Sequence, residues 1–347
     1  MARRIEAATQ PEAARQSEAG DARPIRLRRA VVRTLAYADL FDFPLRDEEI
    51  WRQLLLETAT LSEVRALLEG AEDDAFLGPR IRRAGAYWSL ADRPDHSAQR
   101  ERRAATAERL IADHRGVLRL AARLPWVRMV AFSGGTSRRN SIHDDDLDLF
   151  IVTEEGRTWA VFLGLVVLAR ATGCRDVLCA NYLVDKVHIT VPDGGDLFTG
   201  QELLGLEPIA GERQLRRMAT VNDWANRLLP NAGLRARNPL IGGVGDDDSR
   251  AAKAQRWLER ALLPTGWAIE RIAQRGLGWH LGRKKRASSA RGGDMLLLPG
   301  VLKLHQSDNR ASVVRRFRER LAALEVDGED LDRLLEPRRR RAAGGVA

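Results

Sequence analysis

Asp146 and Asp148 stand two residues apart at the head of an apolar run, Leu147-Asp148-Leu149-Phe150-Ile151-Val152. Successive side chains on a strand point to opposite faces, so on a strand the two carboxylates share one face, roughly 6–7 Å apart. That spacing suits a hard divalent cation. Mg2+ or Mn2+ takes one or two protein carboxylates and fills its remaining positions with water and phosphate oxygens. About ten residues earlier, after a second apolar run, the chain reads Ser133-Gly134-Gly135-Thr136-Ser137-Arg138-Arg139. Glycine there permits positive φ and lets phosphate oxygens approach the main-chain N–H groups, as an anion-binding nest requires. Arg138 and Arg139 follow closely enough to neutralise phosphate charge.

Each feature has an ordinary explanation when taken alone. A Gly-Gly pair is most often a tight turn, Asp144 and Asp145 read as solvated loop charges, and most arginines of this chain must lie on its surface. The order is what carries weight: strand, Gly-Gly-hydroxyl, about ten residues, Asp-x-Asp, apolar strand. It points to a phosphate-and-metal site.

The elements that must position this site follow from patterning. Val31, Leu35 and Ala38 fall at helical spacing, ahead of Pro44. Residues 46–55 read as a second helix with an acidic first turn. A third begins at Thr60, whose spacing to Glu63 is a capping box, and Gly70 ends it. Residues 76–90 alternate around a central glycine, as a hairpin does. Three short helices and a hairpin are the layout of a winged helix. Strands are predicted at 126–132, 146–153, 176–184 and 186–191, with a largely apolar helix over 157–171 closed by Gly173. Thr199 and Glu202 read as another capping box, and an amphipathic helix ends at Pro230. Beyond about 250 the reading is helical, with Trp257, Leu258, Leu262, Trp267, Ile269 and Ile272 as apolar anchors and a basic loop at Arg283–Arg286. Trp224 and Trp257 are expected in the core.

The Gly134-Gly135 and Asp146-x-Asp148 stretches resemble the nucleotidyltransferase domain of the DNA polymerase beta superfamily. Further segments are similar to a bacterial group that joins an N-terminal winged-helix-like segment to such a domain: Tyr37–Leu45, Arg128–Gly135, Cys179–Val184, Asp196–Gly211, Asn222–Asn231 and Leu302–Arg310. The resemblance covers about residues 28–320. It implies an α+β fold, with a small mixed β-sheet nucleotidyltransferase core flanked by helices, an N-terminal winged-helix-like domain and a helical C-terminal region. The expected boundaries are a disordered tail over 1–26, a winged-helix-like domain over 27–95 and the nucleotidyltransferase domain over 96–232. A linker over 233–250, the helical region over 251–335 and a disordered basic tail over 336–347 complete them.

The resemblance also implies roles. Asp146 and Asp148 would be catalytic, holding Mg2+ or Mn2+ on a nucleoside triphosphate. Ser133, Gly134, Gly135, Thr136, Ser137 and Arg138 would bind its phosphates. An acceptor oxygen would attack the α-phosphorus and release pyrophosphate. Active relatives carry a third carboxylate on a neighbouring strand, and here the centre of that strand offers Asn181. Asp176, Asp185 and His188 are the substitutes within reach of sequence reasoning.

Composition bounds the alternatives. A chain of 347 residues, 44% apolar, supports two or three domains. The formal charge of +9 is nearly all arginine, with runs near both ends such as Arg26, Arg28, Arg29 and Arg338–Arg341, so no specific motif supports a nucleic-acid partner. Cys174 and Cys179 cannot staple so long a chain and fit a reduced, cytoplasmic setting. No apolar segment has signal-peptide or membrane-spanning length, and no membrane partner is expected. Three function classes stay open: a nucleotidyltransferase with an unidentified acceptor, a catalytically weak nucleotide-binding sensor, and a transcription regulator using residues 27–93 on DNA. The third would need a basic recognition helix, which residues 61–70 do not offer.

Overall fold

The computed structural model describes residues 11–142, 146–191, 196–232, 250–289, 295–304 and 310–326. Asp144, Asp145, all of the linker expected over 233–250 except Arg250, and the basic tail lie outside them. The chain divides into two compact units.

Among the described residues the first unit takes 11–97, with 228–232 and 316–326. Its helix α1 spans Pro11–Asp39, so helix reaches back into the stretch expected as a tail. Val31, Leu35 and Ala38 are buried as their spacing requires, whereas Phe41 is exposed beyond the helix end. Helices α2 (Asp47–Arg52) and α3 (Leu61–Glu69) follow. The Thr60 side chain accepts the Glu63 N–H, and the Glu63 carboxylate accepts the Thr60 N–H at 2.7 Å, which forms the anticipated capping box. Strands β1 (Ile81–Ala84) and β2 (Tyr87–Leu90) make an antiparallel hairpin about Gly85, whose φ is +60°. Leu45 adds a single bridge to Trp88. From the far end of the chain Phe317, Leu321 and Val326 enter this core, with Phe317 edge-on to Tyr37.

The second unit is mixed α+β. It contains α4 (Ser97–Asp113), α5 (Arg115–Ala121), β3 (Val127–Phe132), the one-turn α6 (Gly134–Ser137), β4 (Leu147–Thr153), α7 (Thr158–Ala171) and β5 (Leu178–Asp185). Then come α8 (Leu197–Leu204), β6 (Glu207–Ala210), α9 (Glu212–Val221), α10 (Trp224–Leu228), α11 (Arg250–Ala261), α12 (Gly266–Ser289), β7 (Leu296–Leu298), β8 (Val301–Lys303) and the start of α13 (Arg310–Ala323), which from Arg316 onward belongs to the first unit. Six strands form one mixed sheet in the order β6-β3-β4-β5-β8-β7; β4 and β5 run parallel and the other neighbours antiparallel. Leu147, Leu149 and Ile151 turn one face of β4 into a core with α5, α7 and α12, so Asp146 and Asp148 fall on the other face.

Several expectations need correction. Residues 186–191 are not a strand: Asp185 accepts the N–H groups of Val187 and His188 and turns the chain directly after β5. Thr199 is not a helix cap. Helix α8 starts earlier, where the buried Asp196 carboxylate accepts the Thr199 N–H at 2.7 Å. The region from 251 is not wholly helical, since β7 and β8 extend the same sheet as Asp148 and β5. Arg283–Arg286 lie in α12 rather than in a loop. Trp257, Trp267 and Ile272 are exposed rather than core, and Trp224 is only half-buried. Among the described residues no helix is long and apolar enough to cross a membrane.

Candidate functional site

The site sits where β3 ends, α6 turns and β4 begins. Gly134 has φ +55°, and a Cβ on it would lie 2.8 Å from Asp148 Oδ2. Glycine is thus required twice over, for its backbone conformation and for the carboxylate packed against it. A Cβ on Gly135 would lie 3.2 Å from the Asn140 carbonyl oxygen, a tight but less forbidding contact. The turn is stitched to β4 by backbone and hydroxyl bonds. Ser133 N–H donates to the Asp148 carbonyl at 2.9 Å, and Thr136 Oγ1 bridges the Asp146 carbonyl and the Asp148 N–H.

The parallel register pairs Asp148 with Cys179 and shifts between Asp148 and Phe150, and Asn181 of the same strand as Cys179 reaches the same carboxylate. Asn181 is buried and its side-chain amide donates to Asp148 Oδ1. The Cys179 thiol donates in turn to Asn181 Oδ1 at 2.8 Å. Donor atoms of Asp146, Asp148 and Cys179 all lie within 4.8 Å of one another, a group able to hold a metal ion. Burial pushes the Cys179 pKa far up, and the Asp146 and Asp148 charges push it further. The group offers two carboxylate oxygens and one thiol sulfur.

The phosphate-binding residues expected from sequence divide into two sets. Thr136 is buried and bonded to β4, and Ser137 Oγ donates to the Gly134 carbonyl at 3.0 Å, so both serve the turn itself. Arg138 donates to the Gln201 carbonyl at 2.8 Å and lies 3.7 Å from Glu202, which ties it to the end of α8. Arg139 is neutralised between Glu108 and Glu207. Burial alone would lower its pKa, but the bonds and charges of Glu207 and Glu108 outweigh that and hold it above the usual value. Ser133, Gly134 and Gly135 are half-buried, and Gly134 and Gly135 open a helical turn whose first N–H groups have no acceptor within the helix.

Of the substitutes for a third carboxylate, Asp185 and His188 are at the wrong end of the sheet. Asp185 pairs with Thr153, about 16 Å along the strands from Asp148 at their ordinary rise. It is buried, bonded to His188 Nδ1 at 2.7 Å, and shapes a turn. Asp176 is exposed, ahead of β5 and outside the Asp146–Asp148–Cys179 group. Cys179 was missed by sequence reasoning. Its one signal was alternation with Asn181 on the neighbouring strand, which becomes meaningful only once β4 and β5 are known to be parallel.

No protein-family model matches this chain, and no curated protein or solved structure is significantly similar to it.

Proposed function

We propose that this protein is a Mg2+- or Mn2+-dependent nucleotidyltransferase that moves a nucleoside monophosphate from a triphosphate to an acceptor and releases pyrophosphate. The observation supporting it is the meeting, at one end of β4, of two carboxylates with a glycine turn packed against one of them. Asp146 and Asp148 hold the metal, which when bound offsets phosphate charge and polarises the transferred group. Gly134 and Gly135 present N–H groups to the phosphates without a side chain in the way. Asn181 fixes the orientation of Asp148 by donating to Oδ1. Arg138 and Arg139 brace the turn from behind rather than meeting the phosphates.

A second reading rests on Asn181 itself. Its amide fills the strand position next to Asp148 and takes no proton, and among the described residues only Cys179 joins the two aspartates. This favours a module that binds nucleotide with little or no turnover. The helix–helix–helix–hairpin order of the first unit supports a winged-helix-like partner contact for either reading. The exposed side of α3 includes Arg65 beside Glu69, and the helix is not the basic element DNA binding needs.

The test is incubation of wild type, Asp148→Asn and Asn181→Asp with α-32P-labelled triphosphates, Mg2+ and cell lysate. Transfer to a discrete acceptor by wild type and not by Asp148→Asn is the expected result. Asn181→Asp should quicken transfer by about 10²-fold if a general base is what the site lacks. Retention without transfer by wild type, with transfer restored in Asn181→Asp, would select the sensor reading. Neither retention nor transfer in any of the three would overturn both.

A further inference from the structure

Helix α12 lies against α7 through Ala273 and Leu281, and its opposite side is open. Trp267, Arg271, Arg275, Trp279 and Arg283 follow one another at four-residue steps, a spacing that places them along one continuous stripe. Trp267 is 62% exposed, Trp279 66% and the adjoining Ile272 69%. Helix α11 adds exposed Trp257 and Leu258, and the turn between the two helices adds Leu263. Exposed apolar residues scattered singly need no explanation, but three tryptophans with three aliphatic residues on consecutive helices do.

The charge on this segment is one-sided. Residues 250–289 carry ten Lys and Arg against two carboxylates, Glu259 and Glu270, a balance of 10 − 2 = +8. Both carboxylates are spent inward. Glu259 accepts the Trp126 N–H at 2.6 Å and pairs with Arg128; Glu270 accepts the N–H groups of Trp159 and Ala160 at the start of α7. No hydrogen bond or ion pair ties Arg271 or Arg275 to another described residue. The exposed side chains of α11 and α12 include arginine, lysine, tryptophan, isoleucine and leucine beside Gln274 and His280, with no exposed carboxylate among them.

We propose that the outward face of α12, with the adjoining end of α11, docks in the plane of an anionic lipid bilayer. Tryptophans suit the headgroup level, aliphatic side chains suit the acyl boundary beneath, and arginines pair with anionic headgroups. Helix α12 is 24 residues, about 36 Å at the usual rise, which is long enough for several headgroup contacts. Two features favour a bilayer over single-stranded nucleic acid. Ile272, Leu258 and Leu263 have no counterpart on a base-stacking platform, and the Arg283 guanidinium sits over the Trp279 ring, 5.1 Å from its centroid, where a base would stack.

Vesicle sedimentation with the full-length chain tests this. Vesicles of phosphatidylcholine containing about one third phosphatidylglycerol should pellet the wild type, with Trp emission shifted to the blue, whereas phosphatidylcholine alone should not. Binding should weaken with salt. Arg271→Gln with Arg275→Gln should lower affinity about thirtyfold, from the usual contribution of a cation at such a surface. Trp267→Ser with Trp279→Ser should lower it while leaving the salt dependence, and both variants change only exposed positions, so the fold is retained. Absence of binding to the anionic vesicles at low salt would overturn the proposal. So would RNA homopolymer binding through the same residues without vesicle binding, or a dimer that buries these tryptophans before any vesicle is added.

Discussion

Gly134 ties backbone conformation to site chemistry. Its φ of +55° already disfavours any L side chain, and the Asp148 carboxylate stands where a Cβ would be. An alanine there pays about 1–2 kcal/mol for the left-handed conformation alone and must also displace Asp148. Gly134→Ala should therefore weaken metal binding by more than it lowers stability. The two are separated by comparing a melting temperature with Mn2+ affinity measured by electron paramagnetic resonance; equal losses would show that the glycine serves only the turn. Asn181→Asp makes the complementary change. It exchanges a donor to Asp148 for a like charge, so apo stability should fall and added Mg2+ should restore it.

At the scale of elements, what was legible in the sequence was local. The capping box at Thr60, the hairpin about Gly85, the end of α7 near Gly173 and the Asp-x-Asp strand all depend on residues a few positions apart. The errors had two sources. The strand over 186–191 was lost to a local turn made by the Asp185 side chain, whereas distant residues decide the far edge of the sheet, where β8 pairs with β5 and β7 with β8. Their signal, Leu296-Leu297-Leu298 and Val301-Leu302 on either side of Pro299-Gly300, was there but read as helix. The same holds for the site: its aspartates and glycines were legible, whereas Cys179 and the diversion of Arg138 and Arg139 needed the fold.

Helix α7 shows the principle energetically. Its own N-cap, Arg157, makes no side-chain cap bond, and Glu270 of α12 caps its first turn instead. Burial raises the Glu270 pKa, opposed by those N–H bonds. Because the folded pKa lies above the unfolded one, the stability it contributes is full below the unfolded value and is lost as pH rises through the folded value. The stability difference between wild type and Glu270→Gln should then shift toward wild type as pH falls from neutrality into the ordinary glutamate range. Urea titrations at several pH values measure it, and a flat difference would contradict the assignment.

At the scale of the whole molecule, the chain returns to its first unit at the far end. Phe317, Leu321 and Val326 are fully buried there, and Arg33 donates to the Val326 carbonyl at 2.8 Å. Phe317→Ala should cost about 3–5 kcal/mol, as large-to-small changes of a buried aromatic do. Calorimetry should show that loss in the transition of the first unit with the other unit's transition unmoved. Loss confined instead to the second unit would contradict the division of the chain.

The most direct test of the site is isothermal titration of a non-hydrolysable nucleoside triphosphate into wild type, Asp146→Asn and Asp148→Asn, with Mg2+ and with chelator. Binding by wild type that requires Mg2+ and is lost in both variants, with melting temperatures unchanged, is the expected result. Equal affinity in all three proteins, or in chelator, would contradict a metal–nucleotide site at Asp146 and Asp148.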